Sequence, residues 1–236
     1  VSTPFLIPTT QAQNVDVDLN LVLAVDVSSS IDTEEVRLQR EGYISALQHP
    51  GVLHAIKQGR YGRIALAYFE WSDADKQTLV VDWMVLAGAA SARQFAERLR
   101  PAPIVRGHFT SISSAIIFAT QILDQTTFRA SRRVIDISGD GKNNDGPPLA
   151  SARDHALQQN ITINGLPIID LSGFIYRGTP PVQIAQYYRN HVIGGTDAFT
   201  ISVKKPSDFD SAISRKLFRE IVTVTSNRTI AQANAE

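Results

Sequence analysis

The feature that most constrains this chain is a near-continuous apolar run, Leu21-Val22-Leu23-Ala24-Val25, that ends on Asp26. A strand with apolar residues on both faces must be covered on both faces, which is the habit of parallel sheets flanked by helices. Asp32-Thr33-Glu34-Glu35 follows and places acids where the first turn of a helix favours them. That helix is expected to run to about Gln48 and to stop near Pro50-Gly51. Further strands are expected over 64–69, 78–83, 134–137, 161–169 and 198–203. Helices are expected over 91–99, 113–123, 147–159, 183–190 and 208–222. The segment 78–83 alternates apolar and polar residues and reads as an edge.

This alternation predicts an α/β fold: a Rossmann-like three-layer sandwich with a mostly parallel central sheet and one antiparallel edge strand. No internal repeat or Gly/Ser-rich linker divides the chain, so one domain over 20–225 is expected, followed by a loose polar tail over 226–236. Residues 1–19 read as an N-terminal arm or a signal remnant. Residues 1–13 lack charge and carry the apolar patch Phe5-Leu6-Ile7.

Composition removes several function classes. Lys+Arg and Asp+Glu balance at 23 each, which excludes a broad basic footprint for nucleic acid and leaves only a local patch open. Cysteine is absent, which excludes disulfides, thiolate metal sites and cysteine nucleophiles. No stretch is apolar enough to read as a membrane span. The five histidines show no His-Glu-x-x-His spacing. No phosphate loop or Gly-x-Ser-x-Gly elbow occurs, and the third glycine of a dinucleotide motif after Gly139-x-Gly141 is Asn144.

In open α/β sheets, ligands sit beyond the carboxyl ends of the strands. Two such ends carry reactive side chains here. Asp26-Val27-Ser28-Ser29-Ser30 follows the first strand, and Asp140 follows the strand over 134–137 in a turn between Gly139 and Gly141. Thr110 lies in the Gly107–Ser111 loop just ahead of a helix. Together they form an all-oxygen set suited to a hard divalent cation, Mg2+ above all, with Mn2+ or Ca2+ as alternatives. Taken singly, Asp26, Ser28 and Ser30 also fit helix caps, Thr110 a helix N-cap, and Asp140 an ordinary turn residue.

The order Asp-x-Ser-x-Ser, Thr, Asp-Gly resembles the metal-ion-dependent adhesion site of von Willebrand factor type A domains. The long helix after Ser30 and the ending Phe209-Asp210-Ser211-Ala212-Ile213 to Leu217 are similar too. The Ser138-Gly139-Asp140-Gly141-x-Asn143-Asn144 turn resembles a bacterial secreted branch whose function is not established. The resemblance implies a non-catalytic, periplasmic or secreted domain. Ser28, Ser30 and Thr110 would bind the cation through hydroxyls, and Asp26 and Asp140 directly or through water. An open position would take the Asp or Glu of a protein partner, with Ser29, Gly139, Gly141, Asn143, Asn144 and His108 as the rim. One departure stands out: the family has Ser or Thr immediately before the last Asp, where this chain has Gly139.

A rival reading is a Mg2+-dependent phosphotransferase of the haloacid dehalogenase type. Gly139-Asp140-Gly141-Lys142-Asn143-Asn144-Asp145 resembles that superfamily's metal motif, and Asp26 would be the nucleophile. The lysine expected shortly before Gly139 is missing, and no glycine follows Asp26 to form a flap turn. Other residues read more plainly. Tyr68, Phe69 and Trp71 are expected in strand core and loop packing, and Trp71 and Trp83 also fit the flank of an interaction surface. Tyr187-Tyr188 should split into one buried and one exposed ring. Asp73 and Asp75 read as solvated loop acids, and Arg93, Arg98 and Arg100 as a solvated helix face.

Overall fold

The computed structural model describes residues 15–169 and 181–233. Residues 1–13, with the signal or arm reading placed on them, lie outside the described residues. The elements, in chain order, are β1 (Val15–Asp16), β2 (Asn20–Asp26), α1 (Thr33–Gln48), α2 (Pro50–Lys57), β3 (Ile64–Trp71), β4 (Gln77–Leu86), α3 (Ala89–Leu99) and α4 (Ile112–Gln125). Then come β5 (Phe128–Arg129), β6 (Arg133–Gly139), α5 (Leu149–Gln158), β7 (Ile161–Pro167), α6 (Pro181–Tyr187), a π-helical turn (Tyr188–Val192) and α7 (Phe209–Ala233).

β2 is the middle strand, and every one of its residues is buried. It pairs in parallel with β3 on one side and β6 on the other, giving a five-stranded sheet in the order β4-β3-β2-β6-β7. Only β4 runs antiparallel, as the alternating edge pattern predicts. Leu21, Leu23 and Val25 face one layer with Tyr43, Leu47, Phe95 and Leu217. Val22 and Ala24 face the other with Phe69, Trp71, Ile116 and Tyr188. The period of two thus loads both faces from one run of residues. Since β2 leads to β3 on one side and lies beside β6 on the other, the strand order reverses between β2 and β6. That crevice opens at the carboxyl ends, where Asp26 and Asp140 stand.

Several expectations need correction. The helix from Asp32 does end near Pro50, but the chain re-enters helix at once. His49 closes α1 and caps α2, its Nδ1 accepting from Gly51 N–H at 3.1 Å. Pro50 is the first residue of α2, a position where its missing N–H is harmless. The segment 198–203 is not a regular strand. It makes isolated parallel bridges, Gly165 to Thr200 and Ile168 to Val203, along β7. Pro167 lacks the N–H that a continuous ladder would need there. Val17 and Leu19 are buried, so the packed body takes in residues ahead of Asn20. The last helix continues through Ala233, past Thr225.

The upper face is braced by a buried ion pair. Arg40 on α1 grips Glu70 on β3 bidentately at 2.7 and 2.8 Å. Its remaining N–H groups donate to the carbonyls of Ala102 and Pro103, at 2.5 and 3.1 Å. This holds the start of the loop that carries Thr110. Glu70→Ala would strand the guanidinium in a dry site. It is expected to destabilise the fold by about 3–5 kcal/mol, measured by denaturant unfolding.

Candidate functional site

The site grows from the end of β2. Asp26 is wholly buried, and its Oδ1 accepts from the backbone N–H of Ser28 at 2.7 Å, which turns the chain sharply. Ser28 Oγ and Ser30 Oγ share a hydrogen bond of 2.8 Å, and Ser30 Oγ donates to Asp140 Oδ1 at 2.6 Å. One polar chain therefore runs from Asp26 to Asp140 across the crevice between β2 and β6. None of these residues caps α1: Asp32 does, in a capping box with Glu35. Likewise Ser111, not Thr110, caps α4. The bland readings of Ser28, Ser30 and Thr110 as caps are thus removed by the residues that do the capping.

Asp26 Oδ2 is buried without a hydrogen-bond partner. Burial pushes its carboxyl well above the usual carboxylate range, and the nearby Asp140 carboxylate pushes it the same way, against the Ser28 donor. The hydroxyl of Tyr188, from the π-helical turn, is also buried and unpartnered. Both atoms crowd Gly139. A Cβ there would lie 2.6 Å from Tyr188 Oη and 2.8 Å from Asp26 Oδ2. Gly139 replaces the expected Ser or Thr because no side chain fits.

Thr110 is placed by backbone reciprocity. Its N–H donates to Asn144 Oδ1 at 2.8 Å, and its carbonyl accepts from Asn144 N–H at 2.9 Å. Gly141 packs on it, since a Cβ at 141 would stand 3.2 Å from Thr110 Oγ1. Of the rim residues, Ser29 donates to the backbone carbonyl of His108 at 2.9 Å, while the His108 residue itself is exposed. Asn143 Oδ1 accepts from Ser113 N–H at 2.8 Å. The amides of Asn143 and Asn144 therefore brace α4 and the Thr110 loop from within.

Sequence reasoning missed Asp73. It is not a solvated loop acid. It is buried, and its Oδ1 accepts from the N–H groups of His108 and Phe109 at 2.6 and 2.7 Å. Burial opposes its charge, yet Lys76 and those two N–H groups hold its carboxyl below the usual range. Its place at the carboxyl end of β3, next to β2, was the available signal. Asp145 accepts from Ala74 N–H at 2.8 Å and ties the same hairpin to the Asp140 turn. Arg106 completes the frame by donating to the carbonyls of Ser28, Ser29 and Ile31. Asp75 is exposed as expected, whereas Arg100 pairs with Glu41 at 2.7 Å. Tyr188 is buried and Tyr187 half-buried.

Among the described residues, no group of three or more His, Cys, Asp or Glu side chains is arranged to hold a metal. A cation here would rely on hydroxyls beside the two carboxylates. The donor set fits: oxygen only, prearranged by hydrogen bonds, with one buried carboxylate oxygen unmatched. The phosphotransferase reading gains no support, since Asp26 is sealed from solvent and has one oxygen committed to Ser28.

Solved structures of similar fold include the pilus adhesin SpaC from Lactobacillus rhamnosus GG in its open conformation. It is 13% identical, with a TM-score of 0.59 over 89% of this chain and 30% of that one. The von Willebrand factor type A protein from Catenulispora acidiphila is 14% identical, with a TM-score of 0.55 over 88% of this chain and 43% of that one. Proximal thread matrix protein 1 from the mussel byssus, with a zinc-occupied MIDAS motif, is 10% identical, with a TM-score of 0.58 over 87% and 46%. The chain thus spans less than half the length of each of these proteins. Their likeness establishes the von Willebrand factor type A fold. No curated protein matches the sequence.

Gly139→Ala tests the close approach. The added methyl is expected to destabilise the protein by about 1–3 kcal/mol in denaturant unfolding. Asp73→Ala, which strands two N–H groups, is expected to lose a similar amount and to speed amide exchange at His108 and Phe109. The family model for "Protein of unknown function (DUF1194)" matches residues 16–225, and the chain belongs to that family.

Proposed function

We propose that this chain is a non-catalytic, divalent-cation-dependent protein-binding domain that captures a carboxylate of its partner. The observation that carries this reading is the hydrogen-bonded chain from Asp26 through Ser28 and Ser30 to Asp140 at the switch point of the sheet. Ser28, Ser30 and Thr110 would hold the ion through hydroxyl oxygens. Asp26 and Asp140 would act directly or across water. When bound, the cation supplies positive charge at the mouth of the crevice. Neutral hydroxyl ligands leave much of that charge available to an Asp or Glu from a partner protein.

Mg2+ is the ion proposed, with Mn2+ or Ca2+ able to substitute. The zinc-occupied motif of the mussel protein supports a divalent ion at such a site. A periplasmic or secreted location suits this function, and the adhesin among the similar structures supports it. No helix among the described residues is long and apolar enough to cross a membrane.

Calorimetric and thermal titration with Mg2+ and Mn2+ tests the reading. At a hundredfold excess over its dissociation constant, a single bound ion should add about 2.7 kcal/mol of stability, reversed by chelator. Asp26→Asn keeps the acceptor for Ser28 N–H but removes the buried charge. The carboxyl of Asp26 is raised on folding, so the stabilising effect of its protonated form is lost as pH rises through the folded value. At neutral pH without divalent ions, the variant should therefore melt no lower than the native chain, and should not respond to Mg2+. Equal responses from the two proteins, or none from either, would exclude the site.

A further inference from the structure

On the face of the sheet that carries α1 and α7, three ionisable side chains are closed off from water. Asp136 projects from β6, and Lys216 and Glu220 lie one turn apart on α7. All three are 0% exposed. Lys216 Nζ lies 2.5 Å from Asp136 Oδ1 and 2.6 Å from Glu220 Oε1. The second contact is a hydrogen bond. The first is an ion pair in which neither oxygen of Asp136 meets hydrogen-bond alignment despite the short approach. The nitrogen is therefore pressed against the carboxyl group in an ion pair that lacks hydrogen-bond alignment.

The surroundings make an ion triad expensive. Two carboxylates and one ammonium leave a net negative charge in a dry site. Asn164 Nδ2 donates to Glu220 Oε1 at 3.1 Å, but Glu220 Oε2 has no partner. The ring of Phe199 lies 5.5 Å from Nζ, and the unpartnered hydroxyl of Tyr43 is buried in the same core. Two further cations stand nearby: Arg132 donates to the backbone carbonyl of Glu220, and Arg219 lies 4.0 Å from the Phe199 ring.

We propose that Lys216 and Asp136 condense into an intramolecular isopeptide bond, with Glu220 as the proton relay. A proton first passes from the ammonium to Asp136, leaving a neutral amine and a neutral acid. Burial favours that transfer, pushing the Asp136 carboxyl up to about 7 against the opposing pull of Lys216, and Glu220 pushes it the same way. Nζ then attacks Asp136 Cγ. Glu220 takes a proton from the nitrogen and returns it to the departing hydroxyl, which leaves as water. One C–N bond forms, one C–O bond breaks, and no oxidant or cofactor is required. Two buried charges disappear, and the remaining amide N–H can still serve Glu220. The bond would fasten α7 covalently to the central sheet.

Intact mass spectrometry of the purified, denatured chain tests this directly. The native chain is expected to be lighter than its sequence by one water. A tryptic digest should yield a branched peptide joining residues 134–142 to residues 216–219. Asp136→Ala and Lys216→Arg should each restore the full sequence mass, which separates this bond from loss of water elsewhere. Glu220→Gln should keep the native circular dichroism spectrum yet carry the full mass. A native chain at full sequence mass, or a branched peptide that persists in Glu220→Gln, would overturn the proposal. The measurement needs no cation or partner, so its outcome is independent of the adhesion-site reading.

Discussion

The architecture of the site depends on one buried carboxylate. Asp26 ends a fully buried strand of the sheet, where desolvation makes a charge unfavourable. One of its oxygens is answered by Ser28 N–H. The other oxygen faces Gly139 and the Tyr188 hydroxyl in a space that a single methyl group would fill. A fold that served stability alone would place an apolar side chain there. Retaining an acid at that point accounts for the order of the surrounding hydroxyls.

The loops around Asp26 are held by polar pins in addition to the packing of Val27, Ile31 and Ile104 into the core. Arg40 and Glu70 fix the root of the Thr110 loop, Asp73 fixes its tip, and Arg106 ties its stem to the Asp26–Ile31 turn. Asp145 joins the β3–β4 hairpin to the Asp140 turn. Each pin satisfies backbone groups that a surface loop would otherwise leave to water, so side chains from three segments are held in place in advance. On the opposite flank, the Asp136–Lys216–Glu220 cluster performs the same service for α7, connecting it to β6 beneath the site.

Most of the fold was legible in the chain. The doubly apolar run of β2, the acids opening α1 and the alternation of β4 are local signals that burial and capping reproduce faithfully. Legibility failed where a residue has two meanings. Pro50 ends one helix but also begins another, and sequence cannot say which role dominates. The segment 198–203 has strand composition, but its neighbour Pro167 lacks the N–H for a continuous ladder. Asp73 looks solvated in isolation, yet it is an acceptor for N–H groups far along the chain.

By itself, then, the sequence determined the layer order, the strand ends and which oxygen-bearing side chains lie beside those ends, because these follow from periodicity and from which residue terminates a strand. Only the tertiary structure decided which donors converge. It showed Asp32 and Ser111 taking the capping roles, which releases Ser28, Ser30 and Thr110 for the crevice. It also showed Gly139 vacated for Tyr188, and Lys216 pressed against Asp136. These facts are pairings between distant segments, and a pairing has no local signature: it exists only once the sheet has brought β2, β6 and α7 to the same place.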